Sequence, residues 1–135
     1  MIIKCEMTVA QLRQAYGDGQ RLFEGTEFIG EGEFATLSGL DLQGAEFRKC
    51  WFHSAIFENV NLRGAIFRNC NLKCVLLESC DLSDSTWESC VVCSIEMSHS
   101  ESSNLQASRL EAYGAEIENA ISFVEYATRK LGSAH

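Results

Sequence analysis

A period of five runs through this chain, and five is a spacing that neither an α-helix nor a straight strand can use. Starting at Leu37, every fifth residue reads Leu37, Leu42, Phe47, Phe52, Phe57, Leu62, Phe67, Leu72, Leu77, Leu82, Trp87, Val92 and Met97. A second column, two residues earlier, is mostly small: Ala35, Leu40, Ala45, Cys50, Ala55, Val60, Ala65, Cys70, Val75, Cys80, Ser85, Cys90 and Ile95. Residues five apart on a helix are rotated by about 140°, so no apolar stripe forms. On a straight strand an odd period sends successive large residues to opposite faces. The period works only if the chain turns a corner in every unit. Within a unit the two columns share one face of a very short strand, and both point into a core around which the chain coils. Residues 35 to 119 divide into seventeen such units.

A longer period lies inside the shorter one. Cys50, Cys70 and Cys90 are spaced by twenty, as are Phe47, Phe67 and Trp87, the pair Arg48 and Arg68, and the pair Ile56 and Leu76. Twenty residues per coil means four units per turn, with like residues stacked between coils. The units Ala45-Glu46-Phe47-Arg48-Lys49, Val60-Asn61-Leu62-Arg63-Gly64 and Ala65-Ile66-Phe67-Arg68-Asn69 carry a small residue, a polar or aliphatic one, Leu or Phe, then two mostly polar residues.

In this pattern the chain resembles the pentapeptide-repeat family. The resemblance implies an all-β solenoid, a right-handed quadrilateral β-helix with one unit per side. Seventeen units then make about four coils, a rod of ~20 Å at ~4.8 Å per strand spacing. Two departures stand out. After Met97 the large column thins to Ser102, Ala107 and Ala112 before Ile117, which predicts a narrower last coil. Upstream, Phe23 and Phe28 are out of register with Leu37, which places a one-residue slip or a loop in residues 29 to 34.

The ends of a solenoid expose unpaired backbone unless something covers them. Thr8-Val9-Ala10-Gln11 forms a weak capping box ahead of Leu12 and Tyr16, and predicts a short helix over about 8–16. Asn119 is an N-cap for a second helix, with Ala120, Phe123, Val124, Ala127 and Leu131 at helical spacing and Gly132 beyond. The expected organisation is an N-terminal cap with an irregular first coil over 1–34, the β-helix over 35–119 and a C-terminal capping helix over 120–135. For Phe123, Val124 and Leu131 two roles are open. They fold onto the last coil, or they form a dimer contact, as the resemblance to gyrase inhibitors that pair through C-terminal helices implies.

Chemistry is sparse. His53, His99 and His135 are too dispersed for a metal or acid–base site, so no catalytic residue, cofactor or metal site is expected and the chain reads as a non-enzyme. Of seven cysteines, Cys50, Cys70, Cys80 and Cys90 fall in the inward small column, where a thiol packs as a small hydrophobe. Cys5 is the one placed to find a disulfide partner. With 135 residues, a net charge of −8, no apolar run of membrane-spanning length and no long apolar stretch after Met1, the reading is one cytoplasmic domain. It touches neither membrane nor nucleic acid directly.

Outward columns are polar with exceptions: Trp51, Ile56, Ile66, Leu76 and Val91 form a candidate partner surface. Charge is uneven. Residues 35–75 carry +2, whereas residues 76–119 carry −8, and Glu78, Glu88, Glu96 and Glu101 form a candidate acidic face. The expected function is a non-enzymatic protein-interaction or scaffold module that presents the outer faces of a rigid rod to another protein. A monomer is favoured over a homodimer through the last helix. The alternative, implied by the resemblance, is a DNA-mimicking modulator of a type II topoisomerase (DNA gyrase).

Overall fold

The computed structural model describes residues 2–30, 32 and 34–132, with side chains as far as Arg129 in the last helix. In chain order the first elements are β1 (Cys5–Thr8), α1 (Val9–Gly17), β2 (Leu22–Glu24), β3 (Thr26–Ile29), β4 (Thr36–Ser38), β5 (Glu46–Arg48) and β6 (Ile56–Glu58). Then come β7 (Ile66–Arg68), β8 (Leu76–Glu78), β9 (Thr86–Glu88), β10 (Glu96–Ser98), β11 (Gln106–Ser108), β12 (Leu110–Ala112), β13 (Ala115–Ile117) and α2 (Ala120–Gly132).

These strands build a right-handed, four-sided β-helix whose coils repeat every twenty residues. Face 1 stacks β2, β5, β7, β9 and β11, and face 3 stacks β4, β6, β8 and β10, all parallel. Faces 2 and 4 are held by single parallel bridges, Glu27–Trp51–Asn71–Val91–Glu111 on one and Asp41–Asn61–Asp81–Glu101 on the other. Five strands on face 1 make about five coils, one more than the sequence count. The extra coil is the N-terminal one: Phe23 pairs in register with Phe47, and Phe28 stacks on Phe52 with ring centroids 4.6 Å apart. Of the slip or loop that the sequence places in residues 29 to 34, the chain takes the loop: Phe28 and Leu37 lie nine positions apart instead of five, so the loop adds four residues. Modulo five, four residues gained and one lost give the same register. Gly30 lets this loop close, because a Cβ there would strike the Phe34 carbonyl oxygen.

The corner of every unit is made in the backbone. From Gly39 to Arg109 each fifth residue has a positive φ, among them Gly44, Lys49, Ser54, Asn59, Cys74, Asp84 and His99. Turns at alternate corners close with a hydrogen bond, such as Ala45 N to Leu42 O at 3.0 Å and Ala65 N to Leu62 O at 2.9 Å. A 4→1 bond with positive φ at the third residue is the signature of a type II turn.

Inside, the large column is an aromatic stack on face 1: Phe23–Phe47 at 5.4 Å, Phe47–Phe67 at 5.1 Å and Phe67–Trp87 at 4.3 Å between ring centroids. Such pairs add attraction beyond the area they bury. Ser85 is the polar exception in the small column, and it is satisfied: Trp87 Nε1–H donates to Ser85 Oγ at 2.8 Å, and Ser85 Oγ–H donates to Leu82 O at 2.6 Å. Cys50, Cys70, Cys80 and Cys90 are buried, each donating Sγ–H to a carbonyl of the preceding coil, those of Phe23, Phe47, Phe57 and Phe67 at 3.2–3.4 Å. Burial pushes the Cys70 thiol well above its ordinary pKa and raises Cys80 as well. All seven cysteines are free, and Cys5 Sγ shares a hydrogen bond with Thr26 Oγ1 at 3.4 Å.

Both ends are closed. At the start, β1 adds in parallel to β3, and α1 buries Leu12 in the core. Thr8 caps that helix: Gln11 N donates to its Oγ1 at 3.1 Å, and its own N–H donates to Gln11 Oε1 at 2.8 Å. At the far end the units stop short of residue 119. Tyr113 and Gly114 both take positive φ, as a two-residue type I′ turn requires, so β13 folds back antiparallel onto β12. Asn119 then caps α2 through Oδ1, which accepts from Ser122 N at 2.8 Å. Phe123 and Ala127 are buried, and the Phe123 ring lies 5.4 Å from Trp87. The thinning of the large column to Ala107 is therefore not a weaker coil: α2 supplies the missing aromatic.

Candidate partner-binding surface

The five outward apolar residues occupy three faces. Ile56 and Leu76 are in-register neighbours on face 3, half-buried in their own column. Ile66 lies on face 1 between Glu46 and Thr86. Trp51 and Val91 lie on face 2 with Asn71 between them, and the Trp51 ring meets His53 edge to face at 6.0 Å.

The slots of Trp51 and Val91 have a structural use elsewhere in the molecule. At the equivalent positions of faces 2 and 4, Asp41, Asn61, Asn71 and Asp81 each accept a bond from the backbone N–H two residues on, at 3.0–3.1 Å. These Asx turns brace the corner. The bond from Ser83 N also holds the Asp81 carboxyl below its usual pKa. Trp51 and Val91 give up that bond.

The four acidic candidates do not share one face. Glu78 and Glu96 lie on face 3, Glu88 on face 1 and Glu101 on face 4. Face 1 is neutralised along its length: Glu46 pairs with Arg48 and, at 3.4 Å, with Arg68, while Glu88 pairs with Arg109 at 2.6 Å and Arg68 at 4.0 Å. The strands of face 3 hold no basic residue at all, reading TLS, IFE, LLE and EMS. Glu58 and Glu78 stand in register there, and neither makes an ion pair among the described residues.

Sequence reasoning did not identify the cleft at the start of face 3. It has a volume of about 590 Å³ and is lined by Val9, Ile29, Phe34, Thr36 and Ile56 among others. Phe34 is 45% exposed. The signal was the loop itself, whose length the five-residue register could not fix. On α2, Phe123 belongs to the core, Val124 is half-buried and Ile121 is 75% exposed, and the side chain of Leu131 lies outside the described residues, as does His135. Ile121, Val124, Ala120 and Leu105 line a hollow of about 360 Å³. No cluster of three or more His, Cys, Asp or Glu placed to hold a metal occurs among the described residues. No helix there is long and apolar enough to cross a membrane.

Residues 35–113 match the family model described as a pentapeptide repeat region. No curated protein matches the sequence. Among solved structures, a trypsin-treated variant of QnrB1, a plasmid-mediated fluoroquinolone resistance protein, superposes with a TM-score of 0.58 at 17% identity, covering 81% of this chain and 51% of that one. This chain thus spans about half the length of that structure. A pentapeptide repeat protein of the Arabidopsis thaliana thylakoid lumen matches at 13% identity and a TM-score of 0.40, over 70% of this chain and 68% of that one. HetL, a pentapeptide repeat protein involved in heterocyst differentiation regulation from the cyanobacterium Nostoc, matches at 16% identity and a TM-score of 0.36, over 73% and 50%.

Proposed function

The chain belongs to the pentapeptide-repeat family, and on that premise we propose that it is a non-enzymatic interaction module, a rigid cytoplasmic rod whose outer faces meet another protein. The observation that carries this reading is the Ile56–Leu76 pair. These side chains stack in register on an outer face, while the core beneath them is already filled by Phe57 and Leu77. They lie outside that core and are half-buried only, so the apolar surface they keep is open to a partner. The monomer is the proposed state. A homodimer would use Ile121 and Val124, which the fold leaves at the surface of α2.

Affinity capture from the native lysate tests the reading, with wild type against an Ile56→Glu/Leu76→Glu double variant. One protein recovered by wild type and lost with the variant supports it. The same proteins recovered by both would remove this pair from any working surface.

The DNA-mimic alternative, acting on a type II topoisomerase such as DNA gyrase, has less support. Mimicry needs a stripe of uncompensated charge at the density of a duplex, one charge per ~1.7 Å. Here Glu88 is held by two arginines, and Glu101 lies around a corner from the face that carries Glu78 and Glu96. Any such binding should collapse as salt is raised from about 50 to 200 mM.

A further inference from the structure

We propose that face 3 is a docking site for a cationic, apolar segment of a partner protein, one that carries lysine or arginine beside large aliphatic or aromatic side chains. The inference rests on the interaction-module reading and names the chemistry of the partner.

Two columns run side by side along face 3. One is Thr36–Ile56–Leu76–Glu96 and the other is Ser38–Glu58–Glu78–Ser98. The first is apolar at its middle, and at its start it opens into the cleft formed by Val9, Ile29 and Phe34. The second places Glu58 and Glu78 in register on adjacent parallel strands, about 4.8 Å apart along the rod. Like charges so placed destabilise a sheet. Elsewhere the molecule avoids that cost: on face 1, Arg48 and Arg68 are also in register, yet both reach Glu46. Among the described residues Glu58 and Glu78 have no such relief. A cation lying over Glu58 and Glu78 would supply it, while apolar side chains beside that cation would cover Ile56, Leu76 and the cleft.

An acidic partner is ruled out by the same charges. An anion at the α1 N-terminus is disfavoured too, because Thr8 and Gln11 already satisfy donors of the first turn. The juxtaposition of an apolar column and an unpaired carboxylate column therefore selects one chemistry, positive and apolar together.

The test uses the full chain and a fluorescein-labelled twelve-residue peptide of alternating leucine and lysine, followed by anisotropy. Serine–lysine and leucine–glutamate peptides of the same length serve as controls. Two variants each remove two charges that make no ion pair among the described residues, Glu58→Gln/Glu78→Gln on face 3 and Asp41→Asn/Glu101→Gln on face 4. Both have the same net charge, so only location differs. The expected result is that the face 3 variant weakens the leucine–lysine peptide by about tenfold or more and flattens its salt dependence, while the face 4 variant changes it by less than about twofold. Ile56→Ser/Leu76→Ser, checked for an unchanged melting temperature, should weaken it by a similar factor.

Equal losses from the two charge variants, or equal binding of the serine–lysine peptide, would overturn the inference, because net charge alone would then explain the binding. A native partner captured by wild type and by the face 3 variants alike would sink this site but leave the interaction-module reading standing. Peptide binding specific to face 3, with no native protein captured under any condition, would support the site and count against that reading.

Discussion

The two ends of the rod are closed by different means. At the N-terminal end the coil is already complete: Phe23 and Phe28 fill the large column, and α1 adds Leu12 to it. At the C-terminal end the coil is unfinished, since Ser102, Ala107 and Ala112 leave space where Leu82, Trp87 and Val92 stood one coil earlier. Phe123 of α2 enters beside Trp87 and completes the aromatic stack. Both caps put a side chain into the core, but the first adds to a coil already complete, whereas the second supplies a layer that the last coil lacks. A capping element can therefore be a lid or a missing layer, and the side chains beneath it show which.

The largest effects should come from breaking that contrast. Phe123→Ala removes a fully buried ring from a layer with nothing to replace it, at an expected cost of about 4 kcal/mol. Leu12→Ala leaves a complete coil beneath it and should cost about 2–3 kcal/mol. Urea denaturation of both variants measures the difference. If Leu12→Ala proves the more costly, the N-terminal helix is the integral element and the contrast is reversed.

A smaller loss is expected just beneath the C-terminal cap. Ser85→Ala leaves the Trp87 indole N–H buried without an acceptor, which costs about 1–3 kcal/mol. Ser85→Cys keeps a weak acceptor and should recover part of it. Equal stability of the alanine variant and wild type would mean that water reaches Trp87 and that the last layer is looser than its packing.

The thiol column sharpens the comparison without changing stability much. Cys50 lies toward the first coil, Cys90 toward the last, and Cys70 between them with its pKa raised by burial. In the native chain only the exposed Cys5 and Cys74 should alkylate quickly. In Phe123→Ala, Cys90 should react before Cys50, and in Leu12→Ala the order should invert. Mass spectrometry after timed iodoacetamide pulses reads the order directly. Simultaneous labelling would show that the rod opens as one unit whichever end is weakened.

The middle of this molecule is legible in the sequence because each unit repeats one local rule. Phe47, Phe57 and Phe67 announce the core, and the twenty-residue spacing of Cys50, Cys70 and Cys90 is enough to give the stacking between coils. After Phe28 the break in register was legible as a slip or a loop in residues 29 to 34, but its length was not, since a register modulo five cannot tell four inserted residues from one lost. The hairpin was missed for a related reason: Ala112 and Ile117 still fall on the five-residue grid, although Tyr113-Gly114 reverses the chain between them. On the surface, the pairing of Ile56 with Leu76 followed from the period. The Arg68–Glu88 pair follows from the same period, whereas the Arg109–Glu88 pair does not, because Arg109 sits one position past the twenty-residue register, at the corner of the next coil.

What the two ends share is the backbone corner, and it sets the smallest prediction. A positive φ costs a non-glycine residue roughly 1–2 kcal/mol through the contact of its Cβ with the following carbonyl, while glycine loses about 0.5–1 kcal/mol in chain entropy. At Lys49, with φ of 53°, these terms nearly offset, so Lys49→Gly should stabilise by about 0.5 kcal/mol. At Gly64 a Cβ would meet nothing within 4 Å, so Gly64→Ala sets the same two terms against each other without a clash and should cost about 0.5 kcal/mol. Gly39, at a corner of the N-terminal coil, is equally open, and Gly39→Ala should cost the same. Differential scanning calorimetry on the three variants measures these values. If the two alanine costs agree, the corner is uniform along the rod and the ends differ only in their side chains. A clearly smaller cost at Gly39 would mean that the first coil yields locally, and that α1 holds it more loosely than α2 holds the last.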